Sequence, residues 1–391
     1  MNALAATAER LVSAVPHGPG TPPGSTDGMR PPPGVALAAR TPWFDVAACA
    51  GHRTVRWEDG VRVGEEPMTI GTYHDLASVT KVLGTTTALM RLVSDRLVDL
   101  DTEVRRHLPG FRGGGRDGVT VRDLLLHRGG LWEWHPLYIP AGSPEEAHRF
   151  VEELPLRYRP REERHYSDLG FILLGRVIAS VTGLSLEQAV SDLVTEPLGL
   201  GATRYAAPAG DPVATGARDD RIEIAMLDSG QPYPVPYRSG DFAGWRREPV
   251  HGQVADGNAY HAFGGISGHA GLFSTVPDLL RFATALSRYR EHDTLIRPQV
   301  AREFFAPGPD EGQALGFRRY RLELPGETLT VLGHPGHVGC AVGFVPDRDV
   351  ALALASNRLL VEGTPVPGEA LWHELLTAVP APPVPFTQRP R

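Results

Sequence analysis

The sequence predicts an α+β fold: one antiparallel sheet of N- and C-terminal strands, flanked by helices, with a mainly helical lobe inserted between the two sets. Three observations lead there. Short apolar or β-branched runs cluster at 35–57 and again at 320–356, the stretch between them carries helical periodicity, and no repeat or linker divides the chain. At 391 residues the length allows one large domain or two ordinary ones. The unbroken pattern selects a single domain over 34–378.

Taken in order, residues 1–33 are rich in Pro and Gly, with seven prolines in 16–33, and read as a poorly ordered N-terminal segment. Strands are expected at 35–39, 44–50 and 53–57. Val82, Thr86, Leu89, Met90, Val93 and Leu97 recur at helical spacing and predict a helix over 78–97. The apolar run 169–181 is a second helix that Gly183 can end, and Ser185 and Gln188 form a capping box for the next one. Residues 204–260 carry turn residues with little periodicity and read as irregular; 276–289 is helical again. Strands at 320–324, 328–334, 340–345 and 350–356 and a helix near 367–378 complete the domain. The segment 379–391, with five prolines in 380–391, is a tail.

Composition excludes several functions. A net charge of −7 offers no basic surface for nucleic acid. Cys49 and Cys340 are too few for a disulfide framework or a zinc site built on three or four cysteines. No run approaches the ~18 apolar residues of a membrane span, and the N-terminus has no basic region of a signal peptide. The expectation is a cytoplasmic protein with no membrane partner. The motif G-x-G-x-x-G at 113–118 follows Pro109-Gly110 instead of a strand and is read as a loop. His334 and His337 are three apart, which on a strand puts them on opposite faces, so no metal and no cofactor is expected.

The basic residues carry the sharpest signal. Of 39 Lys and Arg, one alone is lysine, Lys81. Arginine can replace lysine wherever a charge suffices, but not where an amine must lose a proton. Ser78 lies three residues before it, on the same face of the predicted helix and in its first turn, where free N–H groups favour developing negative charge. A neutral amine can activate a serine hydroxyl, but the lysine pKa must then fall by about 3 units from ~10.4. Further on, Tyr166-Ser167-Asp168 opens the apolar helix, and Gly333-His334-Pro335-Gly336-His337 ends one strand before the next.

Ser78-x-x-Lys81, then Tyr166-Ser167-Asp168, then His334-Pro335-Gly336 is similar to the ordered S-x-x-K, Y-S-N and H-T-G or K-T-G motifs of the β-lactamase-related serine hydrolases. The segments Val119 to His127, Glu196 to Leu200, Gly268 to Ser274 and Pro346 to Arg358 also resemble that family. The resemblance implies a β-lactamase/transpeptidase-like fold. It implies Ser78 as the acylated nucleophile, Lys81 as its activating amine, Tyr166 as proton relay and His334 in the third motif. It also implies an oxyanion hole made by the N–H groups of Ser78 and His337.

Three departures shape the expected substrate. Asp168 stands where the family has Asn; an ionised carboxylate cannot donate to a substrate amide carbonyl, and beside Lys81 it would raise the amine's pKa, so either Asp168 points away or the lysine acts mainly as a cation. Pro335 replaces Thr and removes a strand N–H. The segment from His127 to Trp134 lacks the family's Ser and places Trp134 where it could line the pocket. Asp168, Gly336 and Trp134 are therefore the candidate substrate-binding residues. The expected activity is hydrolysis of carboxylic esters through an acyl-enzyme. The alternatives are transfer of the acyl group to an alcohol or amine, with an acyl or peptidyl carrier protein as candidate partner, and a catalytically silent binding protein of the same fold.

Overall fold

The computed structural model describes residues 3–16, 28–58, 61–292 and 295–383. Its centre is a seven-stranded sheet. In chain order the strands are β1 (Gly34–Thr41), β2 (Phe44–Glu58), β3 (Val61–Pro67), β4 (Arg318–Leu324), β5 (Glu327–Pro335), β6 (Ala341–Val345) and β7 (Val350–Ser356). The spatial order is β3-β2-β1-β7-β6-β5-β4, antiparallel throughout. The first and last strands of this sheet, β1 and β7, thus pair at its centre, with Ala38 opposite Ala353.

The central strands read as continuous apolar runs because both their faces are buried. Their alternation sorts side chains by size. Val35, Leu37 and Ala39 of β1 with Val350, Leu352 and Leu354 of β7 face one core. Ala36, Ala38, Ala351, Ala353 and Ala355 face the other. Against the bulky face pack α1 (Ala3–Ser13) and α5 (Gly368–Ala378), through Leu4, Ala8 and Leu11 and through Leu371, Trp372 and Leu375. Against the alanine face, where small side chains let a helix approach closely, lie α4 (Val276–Ser287) and the helical lobe. In that lobe α2 (Thr87–Ser94) continues a turn of π-helix, Lys81–Thr86, and α3 (Asp168–Thr182) is the long apolar helix.

Three expectations are corrected. Residues Ala3–Ser13 do not belong to a poorly ordered segment: their Leu4-Thr7-Ala8-Leu11 stripe is buried on the sheet. Most of the Pro-rich stretch behind them, and the end of the tail, lie outside the described residues. The two strands expected at 44–50 and 53–57 are one, β2, which continues through a bulge beside β3. Within the irregular 204–260 stretch Arg221–Ser229 is helical. No single helix among the described residues is long and apolar enough to cross a membrane. Cys49 and Cys340 are free thiols, the first half-buried and the second buried.

Candidate functional site

The site forms where the start of the π turn, the N-terminus of α3 and the end of β5 meet. Two short pairings bring the parts together. His74–Asp75 pairs antiparallel with Phe273–Ser274, so residues 268–272 run beside the nucleophile segment. Gly268 is pressed against α3 at Gly175, and a side chain there would collide with the carbonyl oxygen of Phe171.

Lys81 is fully buried. Its ammonium meets three acceptors: it donates to Ser78 Oγ at 2.8 Å and to the His269 carbonyl at 3.1 Å, and lies 2.7 Å from Asp168 Oδ1. Burial pulls its pKa down, but the Asp168 carboxylate and the Tyr166 oxygen more than offset that and raise it above the ordinary lysine value. An amine held this way stays charged at neutral pH. Of the two arrangements the sequence leaves open, Asp168 turned away or Lys81 acting as a cation, the structure has the second: Asp168 points at the lysine, whose ammonium is fixed on the nucleophile.

Tyr166 precedes the N-cap Ser167, whose Oγ accepts from the Gly170 N–H and donates to the Trp132 carbonyl at 2.6 Å. The Lys81 ammonium sits 5.2 Å from the centre of the Tyr166 ring. The His334 ring lies 5.8 Å from the Tyr166 ring and the Arg318 guanidinium 5.5 Å. Arg318 is paired in register with Gly333, next to His334 on the neighbouring strand. His334 is buried, and burial followed by the charges of Arg318 and Lys81 holds it well below the ordinary imidazole range. It is neutral, with Nδ1–H donating to the Pro335 carbonyl at 2.7 Å. Its buried Nε2 has no hydrogen-bond partner among the described residues.

Gly336 is a positioning residue through its smallness: any side chain would strike the Leu76 carbonyl oxygen. The 336–339 turn thereby lies against the nucleophile segment. Among the described residues the N–H groups of Ser78 and His337 donate to no protein acceptor, so both remain available to an oxyanion. Trp134 is 5% exposed and so presents little surface to a ligand. The backbone beside it is nonetheless part of the site, because the Glu133 carbonyl accepts from the Asp168 N–H at 2.8 Å.

Sequence reasoning missed four residues here. His127, buried and left-handed at φ 58°, accepts the Ser167 N–H at Nδ1 (3.0 Å) and packs 4.6 Å from the Tyr166 ring. Asp256 accepts from His269 Nε2 at 2.9 Å, and His269 supplies the carbonyl that holds Lys81. Burial would raise the Asp256 carboxyl, but His269, the Ala259 N–H and Lys81 hold it below the usual carboxylate range. Asp168, Asp256 and His269 bring ligand-type atoms within 4.8 Å of one another, with the lysine already seated on Asp168. Asp75, the fourth, lies behind the nucleophile. His127 and His269 do fall within or beside family-like segments; Asp75 and Asp256 carry no signal of their own.

The profile of the family described as Beta-lactamase matches residues 39–374. A "Putative D-alanyl-D-alanine carboxypeptidase" of Escherichia coli (strain K12) is 32% identical over 324 residues, 77% of this chain and 73% of the relative. An "N-acetylmuramyl-L-alanine amidase" of Bacillus subtilis (strain 168) is 31% identical over 312 residues, 73% and 68% of the two chains. The fold is shared with EstCE1, "a hydrolase with promiscuous acyltransferase activity" (TM-score 0.64, 21% identity, 96% of this chain and 98% of that one). It is shared equally with the D-amino acid amidase from Ochrobactrum anthropi SV3 (TM-score 0.65, 22% identity, 96% and 98%).

Proposed function

Since the chain belongs to the beta-lactamase family of serine hydrolases, we propose that it hydrolyses carboxylic esters, in preference to amides, through an acyl-enzyme on Ser78. The observation that carries the preference is the Asp168–Lys81 pair beside Ser78 Oγ. In the first step Ser78 Oγ bonds to the substrate carbonyl carbon and its proton passes to the Tyr166 oxygen as the tyrosine gives its own proton to the leaving group. The N–H groups of Ser78 and His337 hold the carbonyl oxygen as it becomes negative, each worth about 2.7–4 kcal/mol. The Lys81 charge favours the alkoxide character growing on Oγ. Collapse of the tetrahedral species expels the alcohol, and water enters by the reverse route to release the acid.

An amide needs its nitrogen fully protonated before it leaves, whereas an alcohol, above all an acidic one, needs less help. With Lys81 held charged the amine cannot take up the Ser78 proton, so Tyr166 alone must relay it to the poorly leaving nitrogen, and Asp168 offers no donor to an amide carbonyl. A second reading, cleavage of a peptide bearing a terminal carboxylate, is favoured by Arg318 beside Tyr166 and by the names of the curated relatives. Transfer to an alcohol or amine, including from a carrier-bound acyl chain, uses the same intermediate and differs in the acceptor.

Intact-mass measurement with matched nitrophenyl esters, nitroanilides, thioesters and a penicillin tests this reading. The expected result is an acyl adduct on Ser78 from esters, absent in S78A, with ester acylation about 10³-fold faster than amide. Equal rates for ester and amide would refute the ester preference. No adduct from any substrate or from a fluorophosphonate, in folded protein, would refute the acyl-enzyme itself.

A further inference from the structure

The residue before the nucleophile is strained. Ala77 has φ 44°, in the left-handed region that costs a non-glycine residue about 1–2 kcal/mol. It is held there by Asp75, a carboxylate 3% exposed, whose Oδ1 accepts the Ala77 N–H at 2.8 Å. The other oxygen accepts the Ala255 N–H at 2.7 Å. No ion pair joins Asp75 among the described residues; its charge is satisfied by backbone donors alone. Burial pushes its carboxyl up to about 6, with the two N–H bonds opposing. The Cys340 thiol anchors the Asp75 carbonyl at 3.2 Å, and Asp256 and Arg246 are the charged groups that face the carboxylate.

The contacts close into a ring. From Asp75 the path runs through Ala77 to Ser78, by hydrogen bond to Lys81, to the His269 carbonyl, from His269 Nε2 to Asp256, and along the chain to Ala255 and Asp75 again. We propose that Asp75 is a positioning residue: by closing this ring it holds the Ser78 hydroxyl and the Lys81 ammonium in the geometry of attack, without touching substrate. The role rests on Ser78 being the acylated residue. It assigns to the ring the pre-set placement whose loss by about 1 Å costs on the order of 100-fold in rate.

The test compares wild type, S78A, D75N, D75N/A77G and D256A, with acylation by an activated ester followed by stopped-flow and folding followed by circular dichroism and thermal melting. Asn keeps the shape of Asp but has one acceptor oxygen, so an NH2 group faces Ala77 or Ala255. Folded D75N should lose about 100-fold in kcat for acylation with KM little changed. Glycine at 77 adopts the left-handed backbone without strain, so D75N/A77G should regain about tenfold. D256A removes the oxygen that accepts from His269 Nε2, so it opens the ring on its other side and should also lower kcat more than it changes KM. Wild-type kcat in folded D75N, a rise in KM alone, or no rescue by glycine overturns the proposal. Where D75N does not fold, D256A decides: an unchanged kcat in the folded variant overturns it. A wild-type chain that S78A shows to acylate nowhere on Ser78 would instead refute the acyl-enzyme reading.

Discussion

Lys81 and His334 both lie against the same tyrosine, are both buried, and have their pKa values driven in opposite directions. On the lysine side burial is overcome by Asp168 and the Tyr166 oxygen, and the amine stays charged. On the histidine side burial is reinforced by Arg318 and Lys81 themselves, and the imidazole stays neutral. Burial alone therefore does not decide which group can move a proton; the sign of the neighbouring charge does. The lysine's own charge helps keep the histidine neutral.

The most damaging way to break this asymmetry is Lys81→Met. It leaves a desolvated Asp168 without its cation, and breaking such a pair costs about 3–5 kcal/mol. Chemical denaturation should show that loss, and acylation of Ser78 should become undetectable. Lys81→Arg keeps the charge but has no room: Nζ is enclosed by three acceptors at hydrogen-bond distance. We expect acylation to fall by about 10³-fold there as well, and near-native activity would mean that charge alone suffices. Asp168→Asn sharpens the comparison from the other side. With the carboxylate gone, burial prevails, the lysine pKa drops, and the ratio of amide to ester turnover should rise about tenfold. An unchanged ratio removes Asp168 from the account of specificity. His127→Leu strands the buried Ser167 N–H, which costs about 1–3 kcal/mol. Because His127 packs on Tyr166, kcat should fall with it.

The smallest effect is on pH. His127 and His334 are held well below 6.5, and burial pushes His74 down to about 4. For each, the unfolded chain binds the proton first, so stability is full above pH 6.5 and declines as pH falls from there toward the lowered values. The melting temperature should drop over that range, and His334→Gln should make the drop shallower. A flat profile would mean that these histidines are not buried neutral.

The sheet was largely legible from the chain because its strands are apolar runs bounded by Gly, Pro and Asp. Leu352 and Leu354 alternating with Ala351 and Ala353 even carry the size difference between its two faces. Helix α1 escaped because its stripe is short and sits before a Pro-rich stretch that dominates local composition. Strand β3 escaped because only its pairing with β2 makes Val61–Pro67 extended. In the site, Ser78, Lys81, Tyr166, Asp168 and His334 stand out because each belongs to a local spacing. Asp75 and Asp256 do not, since the contacts that close the ring, Asp75 with the Ala255 N–H and Asp256 with His269, span 180 and 13 residues and follow no motif spacing. The charge of Lys81 was the question the sequence could pose without answering. The answer turns on which way Asp168 points.

That charge can be read directly, because the chain holds a single lysine. Protein grown with lysine labelled with carbon-13 at Cε gives one side-chain resonance, which can be followed from pH 6 to 11 in wild type and in Asp168→Asn. The structure predicts that the wild-type signal stays at the ammonium position through the ordinary lysine value of 10.5, and that the Asp168→Asn signal titrates at lower pH. A wild-type lysine that loses its proton below 10.5 would contradict the central claim and restore the amine as the base.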